Sequence, residues 1–304
     1  MTACPPHDYA RIAVVLVIRS FIARLTGRQQ PQAESAPSTN FFAEPDRPAG
    51  ALVVGHSHII AMQGAADLLR DAGEARHLRF IQLLDADHSP NVEPGPAGMT
   101  LVSALRERLD TEIAAAAGPA LFQSISGNEY HFIGLVNHPR RFDFVLPSAP
   151  HLPIEPDAEI IPFDLMHAGL KNSMEYALVI LACLRRVTKL PIWHIQSPPP
   201  VPSNAEIAAH PQQFGDAIAS HGVAPPFLRL KLWRLQSEIY RNACVEHGIS
   251  FMAVPEAALD ADGFMRPEGW HQDPTHANYW YGRLVLDQIE DILASQFKAQ
   301  SKPA

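Results

Sequence analysis

The feature that most constrains the fold is a short apolar strand followed directly by a helix. Residues Ala51–Val54 are apolar, half of them are β-branched, and Gly55 ends the run. From Ile59 to Leu69 the apolar residues recur at helical spacing. The pattern predicts a buried strand, a sharp turn that carries Ser57, and a helix. A hydroxyl on such a turn lies beside the N-terminal N–H groups of a helix, which favour developing negative charge.

The same alternation continues along the chain. Further strands are predicted at Leu78–Leu84, Leu121–Ile125, Leu190–Gln196 and Ile249–Val254. Helices are predicted at about Ile59–Asp71, Leu101–Ala117, Leu170–Thr188, Phe227–His247 and Ala277–Phe297. Strands that alternate with helices indicate βαβ units and a parallel sheet. We therefore predict an α/β protein, a flavodoxin-like three-layer α/β/α sandwich with a five-stranded parallel sheet.

The chain divides into an arm and one main domain. Residues 1–48 are predicted to form an N-terminal arm and a linker rich in Pro, Ser and Gln, and residues 49–300 the main domain. Irregular, proline-rich insertions are expected at about 137–165 and 198–225. Long loops inside a compact domain are usually functional or disordered. The first insertion is expected to shape a substrate pocket, with a purely structural wrap as the alternative.

Composition excludes some classes of partner. The 304 residues carry a net charge of -8, which argues against a dedicated nucleic-acid-binding protein. The apolar run Ile12–Ile18 in the arm is too short for a membrane span, so the arm is expected to pack on the domain or a partner, or to contact a membrane surface. Three scattered cysteines form no disulfide framework and favour a cytoplasmic location. The oligomeric state stays open.

Two distant stretches complete a candidate site with Ser57. Asn128 follows the strand at Leu121–Ile125, and Asp273-Pro-Thr-His276 precedes the last helix. His276 can serve as the base that a serine nucleophile needs, and Asp273 can orient the imidazole. Asn128 can donate to an oxyanion. The alternatives are that Asp273 caps the last helix and that Asn128 belongs to an ordinary turn.

The order of these blocks resembles the SGNH (GDSL-like) hydrolase superfamily. That family carries Gly-Asp-Ser after the first strand, Gly-x-Asn after the third, and Asp-x-x-His before the last helix. Here the first block reads Gly55-His56-Ser57, with His in place of Asp, and the third block lacks the spacer before Asn128. The last block matches at Asp273 and His276.

The resemblance implies a Ser-His-Asp acyl-ester mechanism without a metal or organic cofactor. Ser57 would be the nucleophile, and the glycine that joins Asn128 in the oxyanion hole is assigned to Gly98, with Gly95 as competitor. The resemblance implies an acyl or acetyl esterase acting on a small-molecule or carbohydrate ester. The alternatives are an O-acyltransferase on a polysaccharide and a non-catalytic carbohydrate-binding protein. Four further residues are candidates for substrate contact: His56, His58, Glu129 and His194.

The residues around Ser57 also resemble a motif of a second family. Gly55-His56-Ser57-His58 is similar to the Gly-His-x-His block of calcineurin-like metallophosphatases. Clustered histidines and carboxylates can bind two metal ions in such enzymes. That family, however, begins with an Asp-x-His strand end and places Gly-His-x-His last, whereas here the block comes first. We therefore predict no metal site.

Overall fold

A five-stranded parallel sheet forms the centre of the computed structural model, which describes residues 50–74, 76–115 and 120–300. The strands are β1 (Ala51–Gly55), β2 (Leu78–Gln82), β3 (Val92–Gly95), β4 (Gly98–Leu101), β5 (Ala120–Ser124), β6 (Phe142–Asp143), β7 (Glu159–Ile160), β8 (Ile192–Ile195) and β9 (Ser250–Met252). The helices are α1 (Ile59–Asp71), α2 (Ser103–Ala115), α3 (Glu129–Gly134), α4 (Phe163–Ser173), α5 (Glu175–Val187), α6 (Asn204–Ala209), α7 (Gly215–His221), α8 (Pro226–His247) and α9 (Tyr279–Gln300).

The central sheet has the order β2-β1-β5-β8-β9, which is the flavodoxin-like order of a doubly wound sheet. Every residue of β1 and β5 is buried, because helices cover both faces of these strands. Helix α1 packs against α9, and α5 packs against α8. The predicted three-layer α/β/α fold is therefore confirmed, and the carboxyl ends of its strands meet at one edge.

Two parts of the predicted element order are wrong. The stretch before the helix predicted at about Leu101–Ala117 contains Pro94, Gly95, Pro96 and Gly98 and was expected to be a loop, but β3 and β4 pair there as an antiparallel hairpin that turns between Gly95 and Gly98. The single helix expected at Leu170–Thr188 is two helices, α4 and α5, which meet at Met174. Helix α4 begins directly after Pro162, inside the segment assigned to the first insertion, because Pro162 precedes a run with helical apolar spacing.

A very close approach of α1 and α9 brings together the first and the last helix of the part of the chain that the structure describes. A Cβ added at Gly282 of α9 would lie 2.0 Å from the backbone oxygen of Ala61 in α1. Only glycine allows the backbones to approach this closely. Since Ser57 precedes α1 and His276 precedes α9, this contact sets the distance between the two residues.

The predicted insertions contain short elements of their own. The first, 137–165, holds the parallel pair β6 and β7. The second, 198–225, holds α6 and α7 and forms a small hydrophobic cluster with Leu135 and Val136. The predicted arm and linker, residues 1–48, lie outside the described residues. Within the described part of the chain, no helix is both long and apolar enough to cross a membrane.

Candidate active site

Ser57 lies on the turn that leads from β1 into α1. The preceding residue still continues the sheet, because the N–H of His56 donates to the Ser124 carbonyl at 3.0 Å. The Ser57 carbonyl already accepts from the N–H of Ile60 at 3.1 Å, as in the first turn of a helix. The hydroxyl is thus presented at the carboxyl edge of the sheet, half-buried, beside the N-terminus of α1.

His276 and Asp273 extend a hydrogen-bonded chain from Ser57. The Nε2 atom of His276 lies 2.7 Å from the Ser57 Oγ, although 219 positions separate the two residues. On the other side of the ring, Nδ1 of His276 lies 3.1 Å from the Asp273 Oδ2. With the Nδ1 proton directed at the carboxylate, Nε2 can accept the serine proton. This arrangement can generate a nucleophilic alkoxide at Ser57.

Asp273 is held as a carboxylate and is not the cap of the last helix. Burial raises its pKa, but hydrogen bonds from His276 and Thr275 outweigh burial and hold the pKa well below the ordinary range. The cap is Asn278, whose Oδ1 accepts the N–H groups of Trp280 at 3.0 Å and Tyr281 at 3.3 Å. Asp273 is therefore available to face His276.

Asn128 follows two residues with left-handed backbone. Ser126 has φ 53° and Gly127 has φ 108°. A Cβ at Gly127 would lie 2.7 Å from the Ser197 Cβ and 3.0 Å from the His58 Nε2, so only glycine fits. Asn128 occupies the N-cap position of α3, but its side chain makes no capping hydrogen bond. Its side-chain amide is consequently not used to hold the helix.

Helix α8 fixes the loop that carries Asn128. The Gln236 side chain donates to the Gly127 carbonyl at 2.8 Å and accepts from the Tyr130 N–H at 3.0 Å. Tyr240 donates its hydroxyl proton to the Ile125 carbonyl at 3.0 Å. Sequence reasoning missed both residues, because a buried polar residue in a long helix carries no signal of which distant loop it will hold.

His56 occupies the place of the family's aspartate and joins three loops. Its Nδ1 accepts the Ser126 N–H at 3.0 Å, and its Nε2 donates to the Asn91 Oδ1 at 3.1 Å. Asn91 in turn donates to the Leu83 carbonyl at 2.7 Å. Burial lowers the pKa of His56, although the hydrogen bond that it donates to Asn91 raises it. Both ring nitrogens are therefore engaged in holding the turns around Ser57.

His58 and His131 are neutral, buried imidazoles near His276. The His58 ring lies 5.2 Å from the His276 ring, and neither of its nitrogens has a hydrogen-bond partner among the described residues. Burial first, and then the charges of neighbouring histidines, lower the pKa of His58 well below its ordinary value. Burial first, and then the charges of His276 and Arg229, lower the pKa of His131 to about 3. Among the described residues, no group of His, Cys, Asp or Glu is arranged to hold a metal ion.

Glu129 and His194, both predicted to contact substrate, are buried. The Glu129 carboxylate accepts the Gly127 N–H at 3.1 Å, and burial raises its pKa although hydrogen bonds from Ser126 and the backbone lower it. The His194 ring stacks on Tyr240 with centroids 4.3 Å apart, and burial lowers its pKa to about 3. Glu129 supports the Asn128 loop, and His194 lies within the packed layer between β8 and α8.

Gly98 does not lie at the edge of the sheet that carries Ser57. It lies exposed at the β3–β4 turn, and the next residue, Met99, accepts a hydrogen bond from Arg186 through its carbonyl. Arg186 is in the last turn of α5, shortly before β8 begins, so this turn lies toward the amino edge of the sheet. Ser57 lies at the carboxyl edge. The predicted oxyanion role of Gly98 therefore does not fit its position, and Gly95, its partner in the turn, shares the same difficulty.

Comparison with known proteins gives structural similarity only. No model of a known protein family and no curated protein matches the chain. It is similar to the periplasmic domain of a lipopolysaccharide acetyltransferase from Salmonella ser. Paratyphi A, with 10% identity and a TM-score of 0.42 over 81% of this chain and 84% of that chain. It is similar to a GDSL-like lipase from Bacteroides thetaiotaomicron, with 9% identity and a TM-score of 0.38 over 93% of this chain and 99% of that chain.

A third similar structure is a carbohydrate acetylesterase from Sinorhizobium meliloti, with 12% identity and a TM-score of 0.36 over 82% of this chain and 99% of that chain. One of these similar structures is described as a GDSL-like lipase, which is the family that the sequence resembles. At these identities and TM-scores the similarity does not establish an activity or a substrate.

Proposed function

We propose that the protein is a serine-dependent carboxylic ester hydrolase. One observation carries the proposal: the chain of contacts from the Ser57 Oγ to the His276 Nε2 at 2.7 Å, and from the His276 Nδ1 to the Asp273 Oδ2 at 3.1 Å. A serine, a base and a carboxylate in this order are the arrangement by which unrelated folds perform acyl transfer.

The reaction begins when Ser57 attacks the ester carbonyl and His276 takes the hydroxyl proton. Asp273 stabilises the imidazolium that forms. The negative charge moves to the carbonyl oxygen, where we assign the Asn128 side-chain amide and the Ser57 N–H as donors. His276 then gives its proton to the leaving alcohol, and an acyl-Ser57 ester remains. A water molecule, deprotonated by His276, attacks this ester and releases the acid.

The neutral histidines favour this chemistry. A charged His58 or His131 would destabilise the imidazolium of His276, and burial keeps both neutral at physiological pH. We propose that His58 also contacts the substrate, because both its nitrogens lack a partner among the described residues. The assignment of the substrate to small-molecule or carbohydrate acyl esters and the cytoplasmic location remain predictions from the sequence and its resemblance.

Labelling with a fluorophosphonate probe, followed by mass spectrometry, tests the nucleophile. We expect the wild-type protein to carry the probe on Ser57, and Ser57→Ala and His276→Ala to lose it. Matched controls are Ser220→Ala and His221→Ala, which remove exposed residues of α7 and should label normally. Absence of labelling in a wild-type protein shown to be folded by circular dichroism, or labelling at another serine, contradicts the proposal.

Product analysis separates hydrolysis from acyl transfer. Unlabelled wild-type protein is given p-nitrophenyl acetate with and without an excess of an oligosaccharide acceptor. Free acetate as the product in both cases supports a hydrolase. An acetylated oligosaccharide formed at the expense of acetate identifies the O-acyltransferase. Oligosaccharide binding without probe labelling or ester turnover identifies the non-catalytic carbohydrate-binding alternative.

A further inference from the structure

The Thr275 hydroxyl lies between the two residues that activate Ser57. Its Oγ1 is 2.6 Å from the Asp273 Oδ1 and 3.0 Å from the His276 Nδ1. The Thr275 N–H also donates to the Asp273 Oδ1, at 2.7 Å. Thr275 is only 5% exposed, so solvent does not take the place of its hydroxyl. One side chain thus contacts both members of the carboxylate–imidazole pair.

The donors and acceptors of this group can be assigned one by one. An ionised carboxylate only accepts hydrogen bonds, and a hydroxyl has one proton to donate and two lone pairs that accept. Hydrogen bonds to His276 and Thr275 keep Asp273 ionised, so the Thr275 proton is directed at Asp273. The lone pairs of the hydroxyl remain for the Nδ1–H of His276. That proton faces the Asp273 Oδ2 at 3.1 Å and the Thr275 Oγ1 at 3.0 Å.

We propose that Thr275 is a positioning residue for the esterase reaction, a second acceptor for the Nδ1–H of His276 that also fixes the Asp273 carboxylate. The proposal rests on the proposed function. Thr275 holds the imidazole with Nε2 toward Ser57 and shares the stabilisation of the imidazolium that forms when Ser57 is deprotonated. It touches no reacting atom, and it acts entirely through Asp273 and His276.

The first test replaces the hydroxyl without changing the size of the side chain. Thr275→Val should lower kcat for p-nitrophenyl acetate about tenfold to a hundredfold, the range for a hydrogen bond to a charged group, with KM unchanged. Thr275→Ser keeps the hydroxyl and should restore most of kcat. The control is Thr188→Val, another buried threonine, whose Oγ1 accepts the Leu190 N–H at 3.1 Å. It should lose stability with kcat unchanged.

A double-mutant cycle separates action through Asp273 from a general structural role. In an Asp273→Ala background the Thr275 hydroxyl keeps its contact with His276 but can no longer act through Asp273, so Thr275→Val should reduce kcat by a smaller factor than in the wild type. Equal factors in both backgrounds, or a Thr275→Val protein with wild-type kcat, would overturn the inference. If Thr275→Val does not fold, the comparison of Thr275→Ser with Thr275→Ala decides in the same way.

The wild-type protein distinguishes this failure from failure of the proposed function. A wild-type protein that is not labelled on Ser57 by the fluorophosphonate probe shows that the esterase proposal itself is wrong. A wild-type protein that labels and turns over the ester, while the Thr275 variants turn it over equally fast, leaves the esterase proposal standing and removes only the role of Thr275.

Discussion

The two insertions are fastened to the same helix by buried cations, and among the described residues the second insertion also contacts the loop that carries Asp273. Lys231 anchors the insertion at 137–165, and Arg229 anchors the insertion at 198–225. The two side chains leave α8 in different directions, because residues two apart on a helix point about 200° apart. Both are fully buried, so α8 is covered on both of these sides.

The first insertion is held by an ion pair. The Lys231 Nζ lies 2.6 Å from the Asp143 Oδ1 and donates to the Pro153 carbonyl at 2.9 Å. Asp143 also accepts the N–H groups of Phe144 at 2.7 Å and Glu155 at 2.8 Å. Lys231 and Asp143 neutralise each other's charge, and all of these contacts lie within the first insertion or α8. This anchor is therefore expected to stabilise the fold. The predicted role of this insertion in shaping the pocket remains a prediction.

The second insertion is held by carbonyl groups around an arginine. Arg229 donates to the Asn204 Oδ1 at 2.8 Å, the Val201 carbonyl at 2.8 Å and the Pro202 carbonyl at 3.0 Å. It also donates to the Ala224 carbonyl. Burial lowers its pKa to about 10, which still leaves it charged at neutral pH.

The second insertion also contacts the loop that carries Asp273. Gln212 donates to the Gln272 carbonyl at 2.5 Å, one residue before Asp273. Trp270 packs against both the main core and the small cluster of the second insertion. The comparison teaches that similar anchors can have different consequences. Loosening the first insertion should cost stability alone, whereas loosening the second should also disturb the site.

The largest expected effect follows from removing Lys231. Lys231→Met leaves the Asp143 carboxylate buried without its partner, which costs about 3–5 kcal/mol of unfolding free energy. Urea unfolding measures the loss, and the labelling rate of Ser57 per folded molecule should not change. The double variant Lys231→Met/Asp143→Asn removes the unpaired charge and keeps one acceptor oxygen for the backbone N–H groups, so it should recover part of the stability. If the labelling rate per folded molecule of Lys231→Met falls together with its stability, the proposed difference between the two insertions is wrong.

A smaller loss of stability, with a loss of activity, is expected for Arg229→Met. Buried carbonyl groups lose their donor, at about 1–3 kcal/mol for an unsatisfied group. Because the second insertion contacts the Asp273 loop, the labelling rate of the folded protein should fall as well. Hydrogen exchange should rise in 198–225 and in the Asp273 loop. A variant that exchanges faster only in the insertion and labels normally contradicts the coupling.

Acid should weaken the protein through two buried histidines that lie outside both insertions. His131 lies on α3, beside the cluster of the second insertion, and His194 lies on β8; both have a pKa of about 3, against 6.5 for an ordinary histidine. The unfolded chain therefore binds more protons, so their contribution is complete above pH 6.5 and is lost as the pH falls toward 3.

Unfolding free energies measured between about pH 4 and pH 6 check this expectation. Each histidine should contribute a slope of about 1.4 kcal/mol per pH unit. His194→Phe and His131→Phe should each remove about one such slope, whereas His221→Phe, which replaces an exposed histidine, should not. Unchanged slopes in the first two variants would show that these imidazoles are protonated in the folded protein.

The smallest effect is expected for Gln212→Ala. The lost hydrogen bond to the Gln272 carbonyl is at the surface, so the free energy of unfolding should change by only about 0.5 kcal/mol. The Asp273 loop should move more freely, and the labelling rate should fall by less than in Arg229→Met. Gln213→Ala, a neighbouring exposed residue, is the control. Equal rates for the two variants would show that the Trp270 packing alone links the insertion to the site.

Much of the fold could be predicted because its signals are local. The strand β1 and the helix α1 follow directly from apolar spacing around Gly55. The β3–β4 hairpin could not be predicted, because prolines and glycines over 92–101 indicate a loop unless the pairing partner is known. The break at Met174 was missed for a similar reason, since apolar periodicity continues through it.

The residues of the candidate site could be predicted where the order of motifs along the chain is enough to place them in the fold. Ser57, Asp273 and His276 sit at strand and helix ends, and the topology brings those ends to one edge. Gly98 was misplaced because a glycine between two motifs says nothing about which edge of the sheet it reaches. Gln236 and Thr275 were missed because their importance lies in side-chain contacts that only the packed structure shows.

The 219 positions between Ser57 and His276 have a consequence for biosynthesis. A protein made from its amino end exposes Ser57 early, whereas His276 is made 219 positions later, just before the α9 helix that docks through Gly282. Until then the serine has no base. In the proposed mechanism, a nascent or truncated chain without His276 and α9 does not turn over esters, and activity appears only when α9 has closed onto α1.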